Sequence, residues 1–239
     1  MDLGYVARHL EEDERHWWLV GRRVVLQSVL RATIPPGALS LVEIGCGGGS
    51  FLPIAAEFGR VVGIEASPEF LEVARRRGFT VLEGSLPDRI PLAAGSCDVA
   101  LLFDVLEHIE DDREALRAVA GLLKPGGLVI CTVPAYQWLW SSHDEVLGHR
   151  RRYTARGLRR LAGEAGLRPL RVTYFNALLA LPIAGFRLLR RRRHARDHDL
   201  TRVPPFLNAL LTRIFSSESG WLRRANFPFG VSVLMVARR

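Results

Sequence analysis

The pattern best suited to chemistry in this 239-residue chain is a set of glycines that follow a short run at residues 41–44, which is apolar except for the acid Glu43. They recur at alternate positions, Gly45, Gly47 and Gly49, and an apolar helical pattern comes after them. Glycine permits a sharp turn and lets a ligand approach the backbone more closely than a β-carbon allows. A buried strand that ends in glycines and opens into a helix is typical of the first unit of an α/β nucleotide-binding fold.

Two classes of nucleotide cofactor use such a turn. The dinucleotide fingerprint GxGxxG needs its third glycine five positions after the first, and that position is Ser50 here. The chain instead has the spacing E-x-G-x-G-x-G, which begins at Glu43. A second predicted strand ends at Glu65, whose carboxylate could accept two ribose hydroxyls in either class. The glycine spacing is therefore what disfavours a nicotinamide-dependent oxidoreductase.

The pattern that begins at Glu43 resembles motif I of the class I S-adenosylmethionine (SAM) methyltransferases, a family with ubiquinone-type O-methyltransferases among its members. A second block resembles the fourth and fifth strands of that family in order and separation: VALLFD at 99–104, then KPGG and LVICTVP at 124–134. The resemblance implies an α/β fold with a Rossmann-like seven-stranded sheet, its last strand antiparallel, and helices on both faces. It also implies SAM as the methyl donor and S-adenosyl-L-homocysteine as the product.

The resemblance further implies a set of cofactor contacts. They lie in the N-terminal helix, in the glycine turn, after the second and third strands, and at the end of the fourth. The implied residues are Trp17, Arg22, Glu43, Gly45, Cys46, Gly47, Gly49, Glu65, Ala66, Ser85, Leu86, Phe103, Asp104, Val105 and His108. An arginine in the N-terminal helix could pair with the carboxylate of the cofactor.

Transfer of a methyl group to a hydroxyl requires a base or a metal ion that helps to remove the proton. Candidate side chains follow the fourth strand and recur in the segment 135–153: Asp104, Glu107, His108, His143, Asp144 and His149. Among them, His149 and His143 are the predicted general bases.

A metal ion is the alternative. The pattern D-x-x-E-H, followed at a distance by H-x-x-x-[WY]-T, resembles the metal-binding set of small-RNA 2′-hydroxyl methyltransferases. The implied ligands are Asp104, Glu107, His108 and His149. Oxygen and imidazole ligands suit magnesium, manganese or another first-row divalent ion.

The elements that position these residues are predicted to form one methyltransferase domain over residues 1–239. We expect a helical cap at 1–36, a cofactor-binding core at 37–177, a helical insertion at 178–228 and the last strand at 229–239. Ser67 and Thr154 are predicted helix N-caps, and Asp111 is predicted to open a further helix. The segment 135–153 shows no clear period and is predicted to form a loop over the mouth of the site.

Composition narrows the class of protein. The formal charge of +8 predicts a basic surface, and a hydrophobic content of 48% supports a substantial core. Cys46, Cys97 and Cys131 form no CxxC or Cys/His pattern, so neither a disulfide framework nor a zinc site is indicated. The N-terminus is too acidic and polar for a signal peptide. We therefore expect a cytoplasmic enzyme.

The insertion at 178–228 combines an apolar run with a basic flank at 190–193. The run at 174–189 is shorter than the roughly 20 apolar residues needed to cross a bilayer. An apolar face beside basic residues suits a helix that lies on anionic lipid. Two interpretations stay open: peripheral contact with the inner face of the membrane, and a lid or dimer contact with a solvated arginine run.

The function that the sequence favours is SAM-dependent methylation of a small or lipid-like acceptor, with oxygen as the methylated atom. An RNA methyltransferase, suggested by the charge and by D-x-x-E-H, stays open, as does a SAM-binding protein without turnover. No nucleic-acid partner is expected, because the basic residues near the insertion alternate with aliphatic rather than stacking side chains. The oligomeric state is not indicated.

Overall fold

The computed structural model describes residues 10–191 and 203–239, with side chains up to residue 188 and again from residue 203. The chain divides into two compact units. The core unit comprises Pro36–Val133, Tyr153–Val172 and Leu234–Arg239. The helical unit comprises the described residues of Met1–Pro35, Pro134–Arg152 and Thr173–Val233.

The described part of the chain forms a seven-stranded sheet. Its strands are β1 (Leu39–Ile44), β2 (Gly59–Glu65), β3 (Val81–Glu83), β4 (Cys97–Phe103), β5 (Leu123–Pro134), β6 (Arg168–Phe175) and β7 (Ser232–Arg238). The strand order is β3-β2-β1-β4-β5-β7-β6, with β1 to β5 parallel. Antiparallel pairing at the β7 end makes the sheet mixed. The predicted α/β fold class is confirmed.

The order of the strands reverses between β1 and β4. The strands β2 and β3 lie on one side of this point and β5 on the other. The central strands are buried on both faces, β1 from Leu41 to Ile44 and β4 from Val99 to Phe103, and they are apolar there except for Glu43. In open parallel sheets, ligands bind at the carboxyl ends of the strands where the order reverses. The glycine turn directly follows the carboxyl end of β1 at this point.

Eight helices are named here in chain order. They are α1 (Trp17–Thr33), α2 (Leu52–Ala55), α3 (Pro68–Arg76), α4 (Asp112–Leu122), α5 (Ser142–Leu147), α6 (Ala155–Glu164), α7 (Ala180–Arg191) and α8 (Pro205–Leu222). The side chains of Asp111 and Thr154 each accept a hydrogen bond from the backbone N–H three residues later, at 2.9 and 3.0 Å, and so cap α4 and α6. This confirms the cap predicted at Thr154 and the helix start predicted at Asp111. Ser67 occupies the N-cap position of α3, but its hydroxyl makes no capping bond.

The helical unit is held together by the pair α1 and α8. The backbone N–H of Trp17 donates to Asn208 Oδ1 at 2.8 Å. Gly21 lies against the ring of Phe215, so close that a β-carbon at position 21 would be 2.6 Å from a ring carbon. The glycine therefore sets how closely the two helices approach.

A buried carboxyl group ties α8 to the chain after β6. Glu218 is 1% exposed and accepts hydrogen bonds from the backbone N–H groups of Ala177 at 2.7 Å and Leu178 at 2.9 Å. Burial raises the pKa of Glu218, and the backbone donors offset this only in part.

The prediction of a loop over 135–153 is wrong in part, because the segment contains α5 and a 3-10 turn at Gln137–Leu139. The insertion at 178–228 contains α7 and α8, as predicted, while residues 192–202, including part of the basic flank, lie outside the described residues. The same holds for the first nine residues of the predicted cap. Among the described helices, none is long and apolar enough to cross a membrane.

Candidate active site

The glycine turn after β1 uses its three alternating glycines in different ways. Gly45, Gly47 and Gly49 have φ of +71°, +53° and +76°, a left-handed conformation that glycine adopts readily. A β-carbon on Gly45 would lie 2.7 Å from a methyl of Val105, and one on Gly49 would lie 3.0 Å from Ala74 Cβ. A β-carbon on Gly47 would have no described atom within 4 Å. The first and third glycines therefore allow close packing, and the middle one borders space that a ligand can enter.

Glu65, at the carboxyl end of β2, is bonded to this turn. Its Oε2 accepts the backbone N–H of Gly47 at 2.8 Å, and its Oε1 accepts those of Ala66 and Ser67 at 2.9 and 2.8 Å. A carboxylate offers about four acceptor positions, so three are in use. About one acceptor position is left on the carboxylate. Glu65 can therefore accept both hydroxyls of a ribose only if one backbone N–H shares its acceptor position with a hydroxyl or loses its hydrogen bond.

The carboxyl group of Glu43 and the thiol of Cys46 are both buried. Glu43 lies in β1, and Cys46 lies within the turn. Burial, with the nearby charges of Glu43 and Glu65, raises the pKa of the Cys46 thiol well above its usual value. Burial also raises the pKa of Cys97 and of Cys131. The thiol in the turn therefore stays protonated and acts as a small, weakly polar side chain.

The end of β4 brings several predicted residues to the same edge of the core unit. The ring of Phe103 packs edge-on against Phe51, with centroids 4.7 Å apart. Asp104 has φ of +59°, an unusual conformation for a residue other than glycine. Its Oδ1 accepts a hydrogen bond from the Thr132 hydroxyl at 3.1 Å. Strained backbone of this kind clusters at functional sites.

A 3-10 turn over Leu106–His108 follows and carries two of the predicted metal ligands. Glu107 is fully buried and His108 is half-buried. The hydroxyl of Tyr153 lies 3.2 Å from the carbonyl of Leu106 and 2.8 Å from Asp112 Oδ2, which fixes this turn against the start of α4. Asp104, Glu107 and His108 thus lie in the core unit, and the fourth predicted ligand, His149, lies in the helical unit. The four-ligand metal site stays a prediction.

The remaining predicted cofactor contacts in the core unit follow β3. Ser85 exchanges two backbone hydrogen bonds of 2.9 Å with Arg89. The turn that they close includes Leu86. The assignment of Ser85 and Leu86 to the adenine stays a prediction.

Trp17 and Arg22 lie on α1 in the helical unit, where each has an internal partner. The ring of Trp17 lies edge-on to Phe215, with centroids 6.2 Å apart. The guanidinium of Arg22 lies 5.2 Å from the ring centroid of Trp18, a cation–π contact. Their role in cofactor binding stays a prediction.

The predicted bases belong to a polar cluster at α5, within the helical unit. His149 Nδ1 lies 2.8 Å from Asp144 Oδ1, and Asp144 is fully buried. Arg152 donates to both oxygens of the same carboxylate, from Nε and from a terminal nitrogen, each at 2.8 Å. The backbone N–H of Ser141 donates to Oδ2 at 2.8 Å. The second predicted base, His143, has its ring centroid 6.4 Å from that of His149, at an interplanar angle of 78°.

The charge state of Asp144 follows from these contacts. Burial by itself would raise the pKa of Asp144, but hydrogen bonds from His149 and Arg152 outweigh it and hold the pKa far below its usual value. Asp144 is therefore ionised and unsuited to be a general base, although its position in the sequence made it a candidate. Sequence reasoning missed Arg152, because one arginine within the run 150–152 carries no distinguishing pattern. The spacing of Ser141 and Asp144, typical of a capping box, could have revealed α5.

An aromatic stack lies in the same unit and was also missed. The ring of Tyr136 stacks on Tyr174, with centroids 5.1 Å apart, and on Trp138, at 5.6 Å. Burial, together with Tyr174, raises the pKa of Tyr136, so its phenol stays protonated. Trp138 is 52% exposed. The stack therefore presents an aromatic surface directly after β5 in the chain.

Comparison with known proteins agrees with this geometry. Residues 42–131 match the family model described as "Methyltransferase domain". A ubiquinone biosynthesis O-methyltransferase of Cereibacter sphaeroides is 38% identical over 109 residues, which are 43% of this chain and 44% of the relative. The chain thus spans less than half the length of the curated relative it matches.

Two solved structures have a similar fold. One is a chain of the Haloferax volcanii complex between the Trm112 methyltransferase activator and a methyltransferase, with a TM-score of 0.64 and 22% identity over 98% of this chain and 94% of the other. The other is a SAM-dependent methyltransferase of Archaeoglobus fulgidus, with a TM-score of 0.59 and 18% identity over the whole of both chains.

The sheet order, the glycine turn and the family match together define the class: residues 42–131 form a methyltransferase domain, set in a sheet with the fold of the class I SAM-dependent methyltransferases. Among curated relatives, ubiquinone biosynthesis O-methyltransferases are 36% to 38% identical to this chain over 103 to 109 residues. The family resemblance recognised in the sequence is confirmed, and SAM is the cofactor of this class.

Proposed function

We propose that this chain is a SAM-dependent methyltransferase that transfers a methyl group to an oxygen atom of a small or lipid-like acceptor. The observation that carries the proposal is the turn at the reversal point of the sheet, where Gly47 borders open space and Glu65 is already oriented. Both features suit a nucleoside lying across the ends of β1 and β2. The similarity to ubiquinone biosynthesis O-methyltransferases supports oxygen as the methylated atom.

The residues of the core unit would hold the cofactor in place. Bound SAM supplies an activated methyl group, so the protein must position the reactants and exclude water. The turn at 45–49 would admit the cofactor to the backbone, and Glu65 would accept a ribose hydroxyl. Asp104, held by Thr132 in its left-handed conformation, would face the cofactor beyond β4.

Removal of the acceptor proton is assigned to His149, with His143 as the second candidate. The imidazole of histidine is the commonest general base in proteins. A divalent metal on Asp104, Glu107, His108 and His149 is the alternative route. Carboxylate oxygens and imidazole nitrogen suit magnesium or manganese, and the residues present are of the right chemistry for such an ion.

The acceptor surface is proposed to be apolar. The stack of Tyr136, Trp138 and Tyr174 offers aromatic faces to a ring or an isoprenoid chain. In the insertion, Leu181 is 80% exposed and Phe206 is 75% exposed. Such side chains, in an insertion whose sequence also carries a basic run at 190–193, would suit peripheral contact with anionic lipid.

Calorimetric titration tests the activity proposal. We expect SAM and S-adenosyl-L-homocysteine to bind and NAD to give no heat. Binding of NAD without SAM would overturn the proposal. Incubation with radiolabelled SAM and cell extract, fractionated into lipid, RNA and small-molecule pools, would then identify the acceptor class. Label confined to the RNA pool would replace the proposed acceptor with a nucleic acid.

The membrane proposal needs point variants rather than a deletion. Removing 178–228 would also remove Phe215 and Glu218, which are buried in the helical unit. We therefore expect Leu181→Ser and Phe206→Ser to reduce co-sedimentation with phosphatidylglycerol vesicles. Leu170→Ser, which alters a leucine that is 42% exposed outside the insertion, is the matched control. Equal sedimentation of all variants with the wild type would refute membrane contact and leave the methyltransferase proposal intact.

A further inference from the structure

We propose that Asp144 and Arg152 are positioning residues that hold His149 in the tautomer whose Nε2 carries the lone pair. The inference rests on the proposed role of His149 in taking the acceptor proton. It concerns contacts within the helical unit alone, and it gives a chemical reason for burying an ion pair where the sequence predicted a loop.

The carboxylate of Asp144 is an unusually complete acceptor. Four nitrogens lie 2.8 Å from its oxygens: Nε and a terminal nitrogen of Arg152 and the backbone N–H of Ser141, which all donate, and His149 Nδ1. Each oxygen takes two of these bonds, so about four acceptor positions are filled. Removing one partner of a buried ion pair is costly, because it leaves the other charge unpaired. The geometry therefore fixes the carboxylate in one place.

The direction of the His149 hydrogen bond follows from this charge. An ionised carboxylate can only accept, so the nitrogen that faces it, Nδ1, must carry a proton. In the neutral imidazole, the other nitrogen then carries the lone pair. Nε2 is consequently the basic atom of the neutral ring, the one that would take a proton or bind a metal ion, whichever route the reaction uses.

Arg152 connects this arrangement to the chain on both sides. A terminal nitrogen of its guanidinium donates to the carbonyl of Ala135 at 3.2 Å. Its backbone N–H donates to Gln137 Oε1 at 3.0 Å. The planar fork of arginine holds both carboxylate oxygens at once, a geometry that the single ammonium of lysine does not reproduce. Arg152 therefore sets where Asp144 lies, and Asp144 sets how His149 is oriented.

The competing explanation is purely structural. Asp144 accepts the N–H of Ser141 at the start of α5, and this bond alone could explain its burial. The two explanations differ in what they predict for His149, and nitrogen NMR of the imidazole separates them. The chemical shifts of Nδ1 and Nε2 report which nitrogen is protonated, with no need for turnover.

In the wild-type protein we expect His149 to show protonated Nδ1 and unprotonated Nε2. In Asp144→Asn, the amide can donate to Nδ1 instead, so the tautomer should switch. We expect kcat for methyl transfer to fall about 10–100-fold, with the SAM dissociation constant unchanged. Arg152→Lys, which keeps the charge but loses the fork, should give a smaller loss of kcat. Glu145→Gln removes one exposed charge from the same helix and should change none of these quantities.

A double-mutant cycle completes the test. If Asp144 acts through His149, adding Asp144→Asn to His149→Ala should lower kcat no further. Additive losses, or a wild-type His149 protonated at Nε2, would overturn the inference. Thermal unfolding of each variant shows whether it is folded, and Arg152→Lys serves if Asp144→Asn is not. Failure of the proposed function would appear separately, as absence of SAM binding in the wild type.

Discussion

Replacing Gly47 by alanine asks whether the glycine turn serves a ligand or only the backbone. Gly47 has φ of +53°, and a non-glycine residue in this left-handed region costs about 1–2 kcal/mol. A β-carbon there would have no described atom within 4 Å, so no packing cost is added. We expect the free energy of unfolding to fall by about 1–2 kcal/mol. The added methyl group would occupy space proposed for SAM, so affinity should weaken at least about tenfold, which corresponds to about 1.4 kcal/mol.

Two other glycines provide matched comparisons. Gly95 has φ of +64°, and, as at Gly47, a β-carbon there would have no described atom within 4 Å. Gly95, however, precedes the amino end of β4, whereas the glycine turn follows the carboxyl end of the parallel neighbour β1. Gly95→Ala should therefore cost the same stability and leave SAM affinity unchanged. Gly45→Ala places a β-carbon 2.7 Å from Val105, so overpacking adds about 1–3 kcal/mol to the backbone cost.

Urea unfolding followed by tryptophan fluorescence would measure stability, and calorimetric titration would measure SAM affinity. If Gly47→Ala bound SAM as tightly as the wild type, the idea that the cofactor approaches the backbone at Gly47 would be refuted. Equal losses of affinity in Gly47→Ala and Gly95→Ala would point instead to a general effect of backbone strain.

The other predictions concern the helical unit. Gly21→Ala should lower the free energy of unfolding by about 1–3 kcal/mol, because its β-carbon would lie 2.6 Å from a ring carbon of Phe215. Thermal unfolding measures this loss. An unchanged melting temperature would mean that α1 and α8 can move apart to admit the methyl group without loss of stability. The pKa of Glu218 is raised in the folded state above its usual 4.5, so protonation favours folding at low pH, and this contribution is lost as pH rises from about 4.5 through the raised folded value. Glu218→Gln, which keeps an acceptor oxygen, should therefore gain stability relative to the wild type across that range; parallel curves of unfolding free energy against pH would contradict this assignment. Trp138→Ala removes the exposed ring of the aromatic stack and should raise KM for the acceptor several-fold with little change in kcat. Steady-state kinetics measure both quantities, and an unchanged KM would show that the stack does not bind the acceptor.

The features that the sequence predicted well are those with a local cause. The strand before Gly45 ends where glycine is needed for a left-handed turn, and the caps at Asp111 and Thr154 each act over three residues. Ser67 shows the limit of such reasoning, because its hydroxyl donates to Glu69 rather than capping the helix. A residue type suited to a cap marks the position but does not determine the bond.

The features that the sequence did not predict depend on contacts between distant residues. The helix α5 has only six residues, too few for a recognisable period. It is stabilised by Arg152, which lies beyond the helix and is buried with Asp144. The stack of Tyr136 and Tyr174 joins residues that are 38 positions apart. Neither arrangement leaves a periodic signal, although the spacing of Ser141 and Asp144 marks the start of α5.

The state of the cysteines has a practical consequence for spectroscopy. All three thiols of the chain are buried, and burial raises the pKa of each. Only the thiolate reacts with alkylating dyes at an appreciable rate. A single cysteine introduced at the exposed position of Glu145 would thus be labelled selectively, without first replacing the native ones. A fluorophore attached there would sit one residue from Asp144 and report conformational changes around His149 as ligands are added.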